Sequence, residues 1–239
     1  MRRRALIAAA ASLAWPARAA EPVRFTARDG VTVHGERVAA IGKRLGTILL
    51  FHMAGSNRGE YAPIAPHLAA LGWDSVAIDQ RSGGPAWGRA NETARAGGDP
   101  GFLAALPDLE AALAATAGQS GKLVVWGSSY SAALVFLLAA AHPGDIAALL
   151  AFSPGEYIAG RSVRDAAARV TCPVFVTSAD DPGEVAAARE IIAAARSPLK
   201  RQFVPRQGAH GSATLRTDSN PRGQAEVWQA VRGFLAEVG

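Results

Sequence analysis

Ser129 stands where a serine can become a nucleophile. It occupies the centre of Gly127-Ser128-Ser129-Tyr130-Ser131, between the apolar run Lys122–Trp126 and a wholly apolar segment, Ser131–Ala141. A serine on a sharp strand-to-helix turn has its hydroxyl held clear of the backbone, at the positive end of the following helix. The turn is tight, so small residues are needed two positions either side, here Gly127 and Ser131. A neutral hydroxyl is a weak nucleophile and requires a base. Among the histidines, His210 lies in the loop Gly208-Ala209-His210-Gly211, just after the last strand-like segment. A histidine at a strand end can take the hydroxyl proton and return it to a leaving group, which is the chemistry of acyl transfer. His34, His67 and His142 fall on early or helical segments and read as surface residues.

The elements that must position these groups alternate along the chain. Val31–Val38 alternates polar and apolar and pairs with a strand near Val23–Thr26 across the turn Arg28-Asp29-Gly30. Thr47–His52, Ser75–Asp79, Lys122–Trp126, Ile146–Phe152, Pro173–Thr177 and Arg201–Val204 read as strands. Their short continuous apolar runs are those of strands buried on both faces. Glu60–Leu71, Leu103–Ala117, Ser131–Ala141, Glu184–Ala195 and Gln224–Val238 read as helices, closed where Gly72, Gly118 or His142-Pro143-Gly144 follow. This rhythm predicts one α/β domain over residues 20–239, a mostly parallel sheet of about eight strands with helices on both faces. In such sheets the chemistry lies at the carboxyl ends of the strands.

With these motifs in place, the chain resembles the α/β-hydrolase superfamily over nearly all of residues 22–239. His52-Met53-Ala54-Gly55 is similar to the family's His-Gly-x oxyanion loop, and Asp79-Gln80-Arg81-Ser82-Gly83 to its D-x-R-G-x-G turn. Met53 and Ser131 stand where the family has glycine. The resemblance implies the chain order serine, acid, histidine: Ser129, Asp181, His210. Asp181 is the assigned acid because Ser178-Ala179-Asp180-Asp181 aligns with the family's G-x-x-D. Asp180, with Asp181 capping the next helix, and Glu156, after the sixth strand, are the alternatives. The oxyanion donors implied are the backbone N–H groups of Tyr130 and Ala54, with Met53 as second choice and His52 supporting the loop. Met53, Tyr61, Trp87 and Tyr157 are assigned to the rim of a substrate site. Ser153–Thr171 has room for one short helix near Ser162–Val170, so the resemblance implies a compact, capless, open site of the dienelactone hydrolase or esterase kind. The glycine-rich stretch Ser82–Gly101 reads as a flap or a long surface loop.

Composition narrows the function classes. The 239 residues carry a formal net charge of +5, of which residues 1–19 contribute +4 through Arg2, Arg3, Arg4 and Arg18. The remainder is nearly neutral, and no basic stripe interleaved with aromatics points to nucleic acid. Met1–Ala19 has a basic start, an apolar run from Ala5 to Trp15 and Ala17-Arg18-Ala19, the layout of a secretory signal peptide cleaved after Ala19. Arg3-Arg4 admits the twin-arginine route. The apolar run is shorter than the roughly 18 residues of a membrane span, and no cysteine follows it for a lipid anchor. Cys172, the single cysteine, precedes Pro173 and an apolar strand and reads as a buried packing residue.

These readings predict a periplasmic or secreted serine hydrolase that cleaves a small-molecule carboxylic ester through an acyl-enzyme, with no metal or organic cofactor implied. Serine at the elbow argues against a thiol-type dienelactone hydrolase, and against the aspartate of a haloalkane dehalogenase. A catalytically silent binding scaffold, a peptidase or thioesterase on the same triad, and a lyase or cofactor-free haloperoxidase are the competing readings.

Overall fold

Strands whose successive residues point to opposite faces, and which are apolar at every position, are stable only when both faces are covered. The structure, a computed structural model, describes residues 19–94 and 100–239 and realises that arrangement. The expected leader, residues 1–19, falls almost wholly outside them. The strands are β1 (Glu21–Thr26), β2 (Thr32–Val38), β3 (Gly46–Phe51), β4 (Trp73–Ile78), β5 (Lys122–Ser128), β6 (Ala148–Phe152), β7 (Val174–Thr177) and β8 (Lys200–Phe203). They form one sheet in the order β1-β2-β4-β3-β5-β6-β7-β8. β1 and β2 pair antiparallel, as do β2 and β4, and every later pairing is parallel.

The helices are α1 (Ala65–Ala70), α2 (Leu106–Thr116), α3 (Tyr130–Ala141), α4 (Val163–Ala167), α5 (Pro182–Ala194) and α6 (Gln224–Val238). One face of the sheet, including Leu49, Phe51, Val125, Leu149 and Val176, packs on α2, α3, α4 and α5. The other, including Ile48, Leu50, Val124, Trp126 and Phe175, packs on α1 and α6. The alternation Ile48, Leu49, Leu50, Phe51 between the two cores is the period of two made visible. α3 lies under the sheet with nine of its twelve residues buried, which is why its sequence shows no polar face.

One sequence boundary moves. The helix expected over Glu60–Leu71 is a 3-10 turn at Arg58–Tyr61 followed by α1 from Ala65. Pro63 and Pro66 lack the N–H that a continuous helix would need, and Glu60 is drawn inward instead. Between β6 and β7 only α4 intervenes, so there is no large cap. Within the glycine-rich stretch the described residues are tied down: Asn57 Nδ2 lies within 3.1 Å of the carbonyls of Gly84, Ala86 and Arg89. Residues 95–99 of that stretch lie outside the described residues.

Candidate active site

β5 and α3 meet at Ser129 with no connecting loop, and the backbone there is strained: φ is 57° and ψ −121°. A non-glycine residue holds that conformation only when its surroundings enforce it. The Ser129 N–H donates to Phe152 O on β6 at 2.8 Å, which fixes the turn to the sheet. Gly127 is obligatory, since a Cβ there would lie 2.2 Å from Ser131 O. Ser131, where the family carries glycine, fits because its hydroxyl has work on both sides. It donates to His52 O at 2.6 Å and accepts from Gln80 Nε2 at 2.8 Å.

Ser129 Oγ lies 2.8 Å from His210 Nε2, and His210 Nδ1 lies 2.8 Å from Glu184 Oε1. The residues that sequence analysis paired as hydroxyl and base are thus brought together, but the carboxylate beside them is neither Asp181, Asp180 nor Glu156. Asp181 is the N-cap of α5, and its Oδ1 accepts from the N–H groups of Gly183 and Glu184. Its short side chain is therefore turned into the helix end. Glu184, one turn in and one methylene longer, reaches back over the strand ends to the imidazole. Glu156 is engaged elsewhere, accepting from the N–H groups of Val163 and Arg164 at the start of α4. The sequence signal was present in Asp181-Pro182-Gly183-Glu184, an acid-x-x-Glu pattern that places the glutamate in the first helical turn.

Burial works against charge on Glu184, yet hydrogen bonds from His210, Ser153 and the Ala179 N–H outweigh it and hold its pKa down to about 2. The same bond raises the pKa of His210 above its ordinary value, with burial opposing and the charges of Glu184 and Glu60 adding to the rise. Ser153, unremarked in the sequence, braces both partners. Its backbone is at φ 54°, and its Oγ also accepts from the Gly211 N–H at 2.9 Å. The imidazole is therefore oriented with Nδ1–H on the carboxylate and Nε2 free to accept the serine proton, the arrangement of a general base.

The loop after β3 is locked by two buried groups. His52 is pushed down to about 4 by burial, with the Met53 carbonyl and the Asp79 charge opposing, so it is a neutral ring. Its Nδ1–H donates to Met53 O at 2.8 Å, and its Nε2 accepts from the Gln80 N–H at 2.9 Å. Met53 O also accepts from the Ser56 N–H. In a trans peptide the next N–H points the opposite way, so the Ala54 N–H is turned away from these partners on an exposed residue. The Met53 N–H itself donates to Glu60 Oε2 at 2.8 Å. That bond removes Met53, the second choice, from the candidate oxyanion donors. Tyr130, the other donor expected, is the first residue of α3, directly after Ser129.

The rim assignments divide. Tyr61 is buried, its hydroxyl donating to Phe51 O at 2.7 Å, so it is a core residue and not part of the mouth. Trp87 is 36% exposed, donates to Ser56 Oγ and lies under the Arg216 guanidinium at 3.9 Å. Met53 is half-buried. Tyr157 is half-buried, and burial followed by the Glu184 charge raises its phenol pKa.

With this geometry in hand, comparison with known proteins gives consistent results. The family model described as serine aminopeptidase, S33, matches residues 42–179. Among solved structures, an esterase of Pyrococcus furiosus aligns with a TM-score of 0.70 at 18% identity, over 93% of this chain and 94% of its own. A dienelactone hydrolase of Anabaena variabilis aligns with a TM-score of 0.70 at 16% identity, over 92% and 97%. Est1E of Butyrivibrio proteoclasticus, solved with ferulic acid bound, aligns with a TM-score of 0.72 at 15% identity, over 90% and 98%. No curated protein sequence gives a match.

Proposed function

Because the chain belongs to the serine aminopeptidase S33 family of α/β hydrolases, we propose that it cleaves carboxylic esters of small molecules through Ser129, His210 and Glu184. The observation that carries this reading is the continuous hydrogen-bonded chain from the Ser129 hydroxyl through His210 to Glu184. Ser129 Oγ attacks the ester carbonyl while His210 Nε2 takes its proton. Glu184 keeps the ring in the Nδ1–H tautomer and stabilises the imidazolium that forms. The tetrahedral oxyanion accepts from the N–H groups of Ala54 and Tyr130. Collapse breaks the bond to the alkoxy oxygen, which leaves as the alcohol with the proton from His210. Water, deprotonated by the same imidazole, then attacks the acyl-enzyme carbonyl, releases the carboxylic acid and restores Ser129.

An open site without a large cap and the recurrence of esterases among the structural neighbours favour an ester over an amide. The second reading, cleavage of an N-terminal peptide bond, draws on the family description. Parallel assays with p-nitrophenyl acetate and an aminoacyl p-nitroanilide separate the two. A burst of one p-nitrophenol per protein with no anilide turnover supports the esterase, whereas anilide turnover at comparable kcat/KM makes it a peptidase. We also propose export, with residues 1–19 removed, because the basic, apolar and Ala-x-Ala layout of that segment is that of a cleaved leader.

A further inference from the structure

Glu60 is fully buried on the 3-10 turn after the oxyanion loop, and the triad does not use it. Its carboxylate is nonetheless shared by the parts that must be held in register. Oε2 accepts from the Met53 N–H at 2.8 Å, in the oxyanion loop. Oε1 accepts from Ser128 Oγ at 2.7 Å, next to the nucleophile. Ser128 Oγ in turn accepts from the Ser212 N–H at 2.8 Å, two residues beyond His210. Gly211 makes that last approach possible, since a Cβ there would lie 2.4 Å from Ser128 Oγ. Resting on the hydrolase reading, we propose that ionised Glu60 is a positioning residue that sets the oxyanion loop, the nucleophile turn and the histidine loop relative to one another.

The hydrogen bonds favour the charged form. The Met53 N–H, the Ser128 hydroxyl and, at 3.4 Å, the Ser56 hydroxyl all point into the carboxylate, and the Ser128 hydroxyl is oriented further by accepting from the Ser212 N–H. A proton on Oε2 would face the Met53 N–H, and one on Oε1 would force the Ser128 hydroxyl to turn away. Burial raises the Glu60 pKa to about 7, opposed by the bonds from Ser128 and Met53, by the Arg216 charge and by Ser56. The other ionisable groups facing it are His210, whose pKa its charge helps raise, and Tyr61, which follows it in the chain and is pushed well up by burial and then by that charge. Arg58, two residues away, is committed to Asp79, Glu36 and Glu92. Lowering the pH through neutrality therefore releases the brace at the same time as it protonates His210.

The test is the pH profile of kcat on a p-nitrophenyl ester for the wild type, Glu60→Gln and Ser128→Ala, with near-ultraviolet circular dichroism to establish folding. The wild type should lose activity on the acid side with a slope approaching two protons. Glu60→Gln places an amide NH2 against one of these donors. It should lower kcat about tenfold or more, leave KM within about twofold and reduce the slope to one proton. Ser128→Ala removes a donor that favours the ionised carboxylate, so its upper acid step should move to higher pH. A one-proton wild-type limb that Ser128→Ala leaves in place would overturn the proposal, even if Glu60→Gln is inactive or unfolded. Glu60→Gln with wild-type kcat would do the same. A wild type with no turnover and no acyl-enzyme would overturn the hydrolase reading and this inference together; failure of the brace alone leaves wild-type turnover intact.

Discussion

Replacing Glu184 by glutamine changes one atom of the site, and the structure dictates what that atom must do. Glu184 Oε2 accepts from the Ala179 N–H at 3.1 Å while Oε1 faces His210 Nδ1 at 2.8 Å. A glutamine that keeps its carbonyl on Ala179 presents its NH2 to Nδ1, which must then be unprotonated. The ring proton moves to Nε2, which then faces the serine hydroxyl as a donor and cannot accept its proton. The opposite rotamer sets NH2 against the Ala179 N–H and leaves that donor unpaired. Either way the base is in the wrong tautomer or displaced, and the imidazolium loses its counter-charge. The analogous carboxylate-to-amide change in a serine triad lowers kcat by about 10⁴, so a loss of about 10²–10⁴ is expected, roughly 3–5 kcal/mol of barrier. Residual activity should have its acid limb at lower pH, because the largest influence raising the His210 pKa is the bond to Glu184. The control is Asp181→Ala. It removes only the cap of α5 and should cost about 1 kcal/mol of stability, lowering Tm by about 2–4 °C with kcat unchanged. Steady-state kinetics on a p-nitrophenyl ester and thermal melts of both variants decide the matter. An inactive Asp181→Ala beside an active Glu184→Gln would refute the reasoning.

Further expectations follow from neighbouring groups. His52→Ala leaves the buried Gln80 N–H without its acceptor and frees the Met53–Ala54 peptide, so kcat should fall by about tenfold or more with KM little changed, read by steady-state kinetics. Glu60 has a folded pKa raised from 4.5 to about 7 by burial. Its contribution to stability is complete below pH 4.5 and is lost as pH rises through 7, by about 3 kcal/mol. Urea midpoints across that window should therefore decline more steeply for the wild type than for Glu60→Gln, and parallel curves would contradict the assignment. Gly127→Ala drives a Cβ to 2.2 Å from Ser131 O and should destabilise the protein by roughly 1–3 kcal/mol while abolishing active-site labelling. Expressed in a Gram-negative host, the full chain should yield a periplasmic product whose N-terminus, by mass spectrometry, is Ala20; an intact Met1 in the cytoplasm would contradict export.

The fold was legible because its signal is dense: strands such as Thr47–Phe51 are apolar at nearly every position, and only a sheet covered on both faces buries them. The nucleophile turn was legible for a related reason, since Gly127 and the small Ser131 are demanded by local sterics. The acid was not. Asp180, Asp181 and Glu184 lie within five residues, and which one reaches His210 depends on where α5 starts. A shift of one turn exchanges a helix cap for the carboxylate that reaches His210. Reading Asp181 and Glu184 together as a helix start would have favoured the longer side chain. Tyr61 was assigned to the rim because it falls at the start of an expected helix, whereas the prolines at 63 and 66 delay that helix and Tyr61 turns inward, with Glu60 buried beside it. A carboxylate bonded to Met53 and Ser128 arises from contacts between residues up to 68 positions apart, which no local pattern encodes.

The central claim is that Ser129 is an activated nucleophile, and a fluorophosphonate tests it without knowledge of the natural substrate. The purified protein should form a single covalent adduct mapped by mass spectrometry to Ser129 Oγ, absent in Ser129→Ala and slowed in Glu184→Gln. A folded wild-type protein that remains unlabelled, or is labelled at another residue, would contradict the account.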